Sequence, residues 1–417
     1  MTLQHVARKK TALLKACFIF GVFLSILFFA NLSRAQTPEG NSCVSCHSET
    51  WDEFKGSVHG QHEILCQKCH GGDPTKSDQK EAKAPGTGFI GIPDKQQIAK
   101  VCGECHADVE AMNFYGIRTD QLARYKTSHH GKKLLLENDT KVAVCSDCHG
   151  YHDVVAVADP NSPVYPSNLP KTCNRCHGNE KIMSQYQLPS DIFDKYKNSV
   201  HGVALFEKKD ISVAQCASCH GSHGAVPPGV KDVGATCGKC HINEKKYFLE
   251  SPHAPLVAQG KFSECISCHS NHDVQHPTPA LYKEACLKCH EANSVAYKKG
   301  IHLGRMLDDS KAKLEETEQL VKQASIEGIF VEEEAASLEE TKTDMISAAP
   351  IQHTLSEEKI SELHNKILST IDGIKEKIKV KYQSLKKRKI ALIPIWLFIV
   401  IMVIALWIKY KQLEGKS

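Results

Sequence analysis

A five-residue motif, Cys-x-x-Cys-His, occurs nine times in this chain and limits its fold more than any other feature. The nine copies begin at Cys43, Cys66, Cys102, Cys145, Cys173, Cys216, Cys237, Cys265 and Cys286. Between Cys43 and His302 each copy has about 29 residues, and chains shorter than about 40 residues seldom build a stable apolar core unaided. We therefore expect cofactors to form much of the interior, wrapped by short helices and loops in a mainly α fold.

The motif is the attachment signature of c-type haem. Its two cysteines add to the vinyl groups of the porphyrin, and its histidine becomes the proximal iron ligand. Nine complete copies use all but one of the 19 cysteines and leave only Cys17, in an apolar N-terminal stretch. Zinc sites do not need a histidine after each Cys-x-x-Cys pair, and a disulfide framework would not repeat this spacing. The sequence predicts nine covalently bound haem c groups.

The predicted attachment and proximal residues follow directly from the motifs. The cysteines are Cys43, Cys46, Cys66, Cys69, Cys102, Cys105, Cys145, Cys148, Cys173, Cys176, Cys216, Cys219, Cys237, Cys240, Cys265, Cys268, Cys286 and Cys289. The proximal histidines are His47, His70, His106, His149, His177, His220, His241, His269 and His290.

Other histidines recur in register with the motifs and are candidates for the distal iron position. After the odd-numbered motifs a histidine follows the motif histidine by 12 or 24 residues, at His59, His130, His201, His253 and His302; four of these five follow a serine by two positions. After three even-numbered motifs a histidine follows by three residues, at His152, His223 and His272. The second motif lacks this histidine, and His62 is its candidate, with His129 and His276 as competitors.

A distal histidine decides whether an iron can bind a substrate, because a second imidazole makes the haem six-coordinate. A histidine three residues after a proximal ligand is tethered on the proximal side of its own haem. It cannot easily reach the opposite face, so we expect it to bind a neighbouring haem. Such cross-ligation would hold adjacent porphyrins close together, as rapid electron tunnelling requires.

The N-terminal 35 residues have the three parts of a secretory signal. Arg8, Lys9 and Lys10 precede an apolar stretch over residues 16–30, and Ser33-Arg34-Ala35 offers a small-residue cleavage site. A cleaved signal predicts a mature chain from about residue 36; an uncleaved N-terminal anchor is the alternative. In both cases residues 36–302, the nine-haem region, are exported.

From residue 303 to 389 the composition changes to helical periodicity. Three apolar stripes predict a stalk of three antiparallel helices, the third starting from a capping box at Thr354-x-x-Glu357. The stripes are Met306, Ser310, Leu314, Thr317, Val321 and Ala324; Val331, Ala335, Leu338 and Met345; and Ile360, Leu363, Ile367, Ile371, Ile374, Ile378 and Leu385. His353 and His364 lie outside the motif register, and we expect them to be structural or exposed.

Residues 390–408 form an apolar run with Trp396 and Trp407 towards its ends, which predicts a transmembrane helix followed by a short cytoplasmic tail, 409–417. A buried soluble helix is disfavoured, since the mean hydropathy of the chain is −0.32. The basic run 386–389 is more positive than the tail, which by charge alone would put the run in the cytoplasm. Because long exported domains cross largely regardless of flanking charge, we expect the haem region on the periplasmic, or extracytoplasmic, side.

On these motifs, residues 40–302 resemble membrane-anchored multihaem cytochromes c. These include tetrahaem cytochrome domains and the respiratory cytochromes of metal-, nitrogen- and sulfur-metabolising microbes, which share doubled Cys-x-x-Cys-His modules and Ser-x-His-Gly ligands. The helical tail is similar, less specifically, to the C-terminal helices of hydroxylamine oxidoreductase and nitrite reductase relatives. The resemblance implies electron transfer through bis-histidine haems, from a quinol-oxidising membrane partner or cytochrome b-type subunit to a periplasmic acceptor.

Two classes of function follow. The first is an electron carrier with every iron six-coordinate and no catalytic residues. The alternative is a multihaem oxidoreductase that acts on a small nitrogen or sulfur compound, such as nitrite, hydroxylamine or tetrathionate, at one open iron. All nine motifs end in histidine and candidates suffice for nine distal positions, which favours the carrier. With 52 basic and 48 acidic residues, the chain has no charge signature of a nucleic-acid partner.

Overall fold

The structure, a computed structural model, describes residues 40–226 and 233–414. Within these ranges the chain is mainly helical and contains no β-strand, which confirms the predicted α class. The expected signal segment, Cys17 and the last three residues of the tail lie outside the described residues.

Twenty-four α-helices are present in the described ranges, most of them short. In chain order, α1 to α12 are Ser42–Cys46, Ser48–Phe54, Val58–Gln61, Gln67–His70, Gln79–Ala82, Lys95–His106, Val109–Asn113, Gln121–Thr127, His129–Glu137, Cys145–His149, Leu169–His177 and Glu180–Met183. Helices α13 to α24 are Ile192–Lys197, Val200–Phe206, Cys216–His220, Val233–Cys237, Ile242–Phe248, Ala254–Ala258, Cys265–His269, Ala280–Cys286, Val295–Ile326, Glu332–Ile351, Glu357–Ala391 and Ile393–Glu414. Short 3-10 turns occur at Pro85–Thr87, Ser184–Tyr186 and Gln352–Thr354.

The chain divides into two compact units. Among the described residues, unit 1 comprises 40–190 and 215–226, and unit 2 comprises 191–214 and 233–414. Unit 1 therefore contains the first six motifs, and unit 2 contains the last three motifs together with the long helices. The expected division at residue 302 does not coincide with these units.

Unit 1 has little conventional core among its described residues. One apolar cluster joins α6, α8 and α9 through Ala99, Tyr125 and Leu134, with Val142 and Val144 from the following loop. Tyr125 donates a hydrogen bond from its hydroxyl to the carbonyl of Ala143 at 2.9 Å. A cluster of this size agrees with the expectation that the chain alone does not fill the interior.

The long helices of unit 2 have an apolar core of ordinary protein packing. Leu314 and Val321 of α21, Leu338 of α22 and Ile371 and Ile378 of α23 belong to one buried cluster. Ion pairs link Asp344 to Lys366 and Glu334 to Lys381, between α22 and α23. The order of these residues along the two helices shows that α22 and α23 are antiparallel. The predicted stripe of α21 is buried throughout, and most positions of the other two stripes are buried or packed against this cluster.

Two boundaries differ from the expected ones. Helix α21 begins at Val295, capped by Ser294, so His302 lies within a helix and not before it. The capping box at Thr354 is wrong, because α23 begins at Glu357 and its N-cap is Ser356. Thr354 instead donates its hydroxyl proton to the carbonyl of Ile351 at 2.8 Å, which ends the preceding 3-10 turn.

Helix α24 is long and apolar enough to cross a membrane. Its most apolar stretch has a mean hydropathy of 2.9, and none of that stretch is buried within the protein. Leu392 separates it from α23, two residues before Pro394, whose ring removes the N–H that would bond the carbonyl of Ile390.

Candidate haem sites

The Ser-x-His-Gly segments form a recurring local structure. In each, a buried serine is the N-cap of a short helix, and its hydroxyl accepts a hydrogen bond from the glycine N–H. The bonds are Gly60 to Ser57 (3.0 Å), Gly131 to Ser128 (2.9 Å) and Gly202 to Ser199 (3.1 Å). The cap fixes the start of the helix, and the histidine is the second residue of the helix in all three segments.

The glycine of this segment is required by close packing. A Cβ atom at Gly131 would lie 1.9 Å from the carbonyl oxygen of Tyr125, and one at Gly202 would lie 2.0 Å from that of Tyr196. The short helix therefore crosses the preceding helix at backbone contact, and this crossing sets where the histidine side chain begins.

Backbone hydrogen bonds join the two classes of candidate distal histidine. The residue after each capping serine donates its N–H to a carbonyl two residues beyond a plus-three histidine. The bonds are Val58 to Val154 (2.8 Å), His129 to Ala225 (3.2 Å) and Val200 to Val274 (2.8 Å). His59 and His152, His130 and His223, and His201 and His272 are thus held as neighbours by the main chain.

Even-numbered motifs end in a sharp change of chain direction. Helices α4, α10, α15 and α19 each stop at the motif histidine, and the next residue has a positive φ. These residues are Gly71 (67°), Gly150 (82°), Gly221 (79°) and Ser270 (66°). Glycine adopts this conformation without strain, so its position after the motif was a sequence signal for the turn.

Among the described residues, these seven pairs of imidazoles face each other at nearly one distance. Their ring centroids are separated by 6.1 Å in His59–His106, 6.2 Å in His70–His152, 6.2 Å in His130–His177, 6.0 Å in His149–His223, 6.3 Å in His201–His241, 6.1 Å in His253–His290 and 6.1 Å in His269–His353. Every pair joins one motif histidine to one histidine outside the motifs.

This spacing fits a single iron bound between two imidazoles. A metal–imidazole bond is about 2.0–2.1 Å long and a ring nitrogen lies about 1.1 Å from its ring centroid, so two opposed ligands place their centroids about 6.3 Å apart. The Nδ1 atom of His70 donates to the carbonyl of Gly91 at 2.8 Å, which leaves Nε2 free to bind a metal. The residues present therefore fit bis-histidine haem.

Burial lowers the pKa of several of these imidazoles, which favours the neutral form that binds metals. It is the main cause that lowers the pKa of His130, and the neighbouring His177 lowers it further. The same two causes, burial first and the facing imidazole second, lower the pKa of His149, which faces His223, and of His201, which faces His241. Free-base imidazole is the form that donates a lone pair to iron.

Cysteines of consecutive motifs lie close together within each unit. The first cysteines are hydrogen-bonded in three pairs of motifs: Cys102 with Cys145, Cys173 with Cys216, and Cys237 with Cys265. Between other motifs, the second cysteine of one motif lies near the first cysteine of the next motif. Burial and the nearby thiol of Cys173 raise the pKa of Cys148 to about 11.

The pairing partners differ from simple sequence order. His152 follows the fourth motif but faces His70 of the second, where sequence reasoning had left the ligand open between His62, His129 and His276. His223 follows the sixth motif and faces His149 of the fourth. In both cases a histidine that follows one motif faces the proximal histidine of a different motif, which is the arrangement that cross-ligation requires. That these histidines bind haem iron stays a prediction.

Several candidate histidines lie elsewhere. The ring of His62 packs edge-on against Tyr115 at 4.9 Å between centroids, and Nε2 of His302 lies 3.6 Å from Oε1 of Glu357. His129 and His276 are exposed. In the part of the chain that the structure describes, His47 has no second imidazole at the spacing of the seven pairs. His272 stays a predicted ligand.

His353 is the member of the seven pairs that sequence reasoning missed. It lies after the last motif, in the helical region, and no repeated offset connects it with His269. The sequence signal that could have identified His353 is its position three residues after Pro350, where a helix was expected to end.

No cluster of three or more histidine, cysteine or acidic side chains suited to a bare metal ion occurs in residues 40–226 and 233–414. A haem iron needs only two side chains, since the porphyrin supplies its other four ligands. Comparisons of the chain with protein families, with curated proteins and with solved structures gave no match.

Proposed function

We propose that this protein is a membrane-anchored electron-transfer cytochrome that carries nine haem c groups. The observation that carries the proposal is the combination of nine attachment motifs with seven opposed imidazole pairs, 6.0–6.3 Å apart between centroids. Haem iron would supply one-electron chemistry, while the chain sets its ligands and surroundings.

The paired imidazoles support a carrier because two such side chains would hold one haem iron between them. An iron with two protein ligands has no open position for a substrate, and its oxidation and reduction need little change of geometry. His59 with His106 and His201 with His241 come from different helices, so the fold holds each pair before electron transfer occurs.

The thiol contacts support a continuous path within each unit. Cys102 and Cys145 belong to the third and fourth motifs, and Cys148 lies near Cys173 of the fifth. Since each cysteine is covalently bonded to the porphyrin edge in a c-type haem, neighbouring cysteines bring neighbouring porphyrin edges together. The chain thus provides short steps for electrons from one haem to the next.

The apolar helix α24 supports a membrane location, with a membrane quinol dehydrogenase or cytochrome b-type subunit as donor and a periplasmic protein as acceptor. The export signal that the sequence predicts would put the haem region on the extracytoplasmic side. The basic run Lys386–Lys389 would then lie beside anionic lipid headgroups.

The test is to count and classify the haems of the purified protein. Intact-mass measurement should show nine haem additions, and electron paramagnetic resonance of the oxidised protein should be dominated by low-spin signals. A consistent deficit of haem would contradict the assignment of the motifs. The spectrum would contradict a carrier if several irons were high-spin.

The second candidate function, reduction or oxidation of a small nitrogen compound, is favoured by one observation. His47 lacks a facing imidazole among the described residues, which makes the first motif, and not the second, the place to look for an open iron. The same spectra distinguish the two functions. One high-spin signal that changes on addition of nitrite or hydroxylamine would favour the oxidoreductase, and an unresponsive spectrum would favour the carrier.

A further inference from the structure

We propose that His353 is the distal ligand of the haem attached at Cys265 and Cys268, opposite His269. The long helices would then complete a haem site and not serve only as a stalk. This inference rests on the proposed function, because it assigns an axial ligand of one of the nine haems.

The geometry of this pair matches the other six. The ring centroids of His269 and His353 are 6.1 Å apart, and the rings are inclined by 32°. Both side chains are half-buried, and both belong to unit 2. The pair therefore has the spacing of two imidazoles on one iron.

The hydrogen bonds of His353 leave the correct nitrogen free. Its Nδ1 lies 3.1 Å from the carbonyl oxygens of Ala349 and Pro350. A carbonyl can only accept, so Nδ1 carries the proton and Nε2 keeps its lone pair. Metal-binding histidines commonly have this second bond to a backbone carbonyl, which fixes the tautomer and the direction of the ring.

The turn that carries His353 is held in place by a hydrogen bond from a side chain of α20. His353 is the central residue of the 3-10 turn Gln352–Thr354, between α22 and α23. The hydroxyl of Tyr282, on α20, donates to the side-chain oxygen of Gln352 at 3.1 Å. Tyr282 also packs against the small apolar cluster of Leu303, Met306 and Ile360. The turn is thereby tied to the helix that leads into the ninth motif.

The other two histidines of the long helices have different surroundings. Nε2 of His302 lies 3.6 Å from a carboxylate oxygen of Glu357, and Nε2 of His364 lies 3.8 Å from one of Asp309. His364 also shares a hydrogen bond of 2.8 Å between Nδ1 and the hydroxyl of Ser310. Both rings are directed to acidic partners, and His364, which lies outside the motif register, serves as the matched control.

The experiment compares His353→Ala with His364→Ala in the full-length, haem-loaded protein. His353→Ala should keep all its haems by mass and gain one high-spin iron over the wild type. After reduction it should bind one more equivalent of carbon monoxide, and added imidazole should restore the low-spin signal. The His364→Ala control should match the wild type.

A second variant distinguishes the loss of an iron ligand from a general loss of structure. His353→Met should keep the iron low-spin while the midpoint potential of one haem rises, because a thioether ligand favours the reduced state. An unchanged spectrum in His353→Ala, or an equal high-spin gain in His364→Ala, would overturn the inference. If either of these results came with nine haems by mass, the proposed function would still hold. A missing haem at Cys265 would count against both the inference and the proposed function.

Discussion

At the scale of single residues, the Ser-x-His-Gly segments show how the neighbours of a histidine determine its placement. The serine hydroxyl satisfies an N–H at the start of the helix, and the glycine lets that helix touch the carbonyl of the helix before it. Gly202 is buried, and only a hydrogen atom fits between its Cα and the oxygen of Tyr196. The histidine lies between these two residues, so its placement depends on both.

Gly202→Ala should therefore destabilise unit 2. The new methyl group would overlap the backbone of α13, and overpacking of this kind costs about 1–3 kcal/mol. Gly373→Ala is the matched control, because Gly373 lies within α23 with no atom within 4 Å of a Cβ position. It should raise the free energy of unfolding by about 0.5–1 kcal/mol.

Denaturant unfolding followed by circular dichroism measures both changes. The high-spin signal of the oxidised protein gives a second readout, since displacement of His201 from His241 would appear there in Gly202→Ala alone. Equal stability of the two variants would contradict the close contact at Gly202.

At the scale of helices, the apolar periodicity of residues 303–389 predicted which side chains are buried. Ile367, Ile371 and Ile374 are at most 2% exposed, as their spacing on one helix face requires. The ends of the helices were predicted less well. Ser356, and not Thr354, caps α23, because the 3-10 turn that holds His353 uses the Thr354 hydroxyl to bond Ile351.

Ile371→Ala should lower the free energy of unfolding of the long-helix bundle by about 2–5 kcal/mol, the usual cost of a cavity at a fully buried position. Val380→Ala on the same helix is the control; Val380 is 54% exposed, and its truncation should change stability by less than about 0.5 kcal/mol. Thermal or denaturant unfolding of the two variants provides the comparison. Similar losses in both would mean that α23 does not bury this face in solution.

At the scale of the whole molecule, the proposed membrane location depends on α24. A chain that ends at Lys389 lacks this helix but keeps unit 1 and the rest of unit 2, including the bundle core and His353. It should remain in the supernatant after ultracentrifugation with the haem content of the full-length protein. Sedimentation with membranes in high salt would show instead that a segment near the N-terminus holds the protein there.

Sequence alone determined the cofactor chemistry predicted for this chain, because haem attachment depends on a local pentapeptide that can be read without a fold. It also indicated most of the histidines that are paired, since His59, His130, His201 and His253 repeat at quantised offsets from the motifs. Tertiary structure decided which histidine faces which. His152 reaches the second motif and His353 the eighth through packing between segments far apart in the chain, and no periodicity records such contacts. A ligand needs only to arrive at the correct distance and angle, and those depend on how helices cross and turns are tied together.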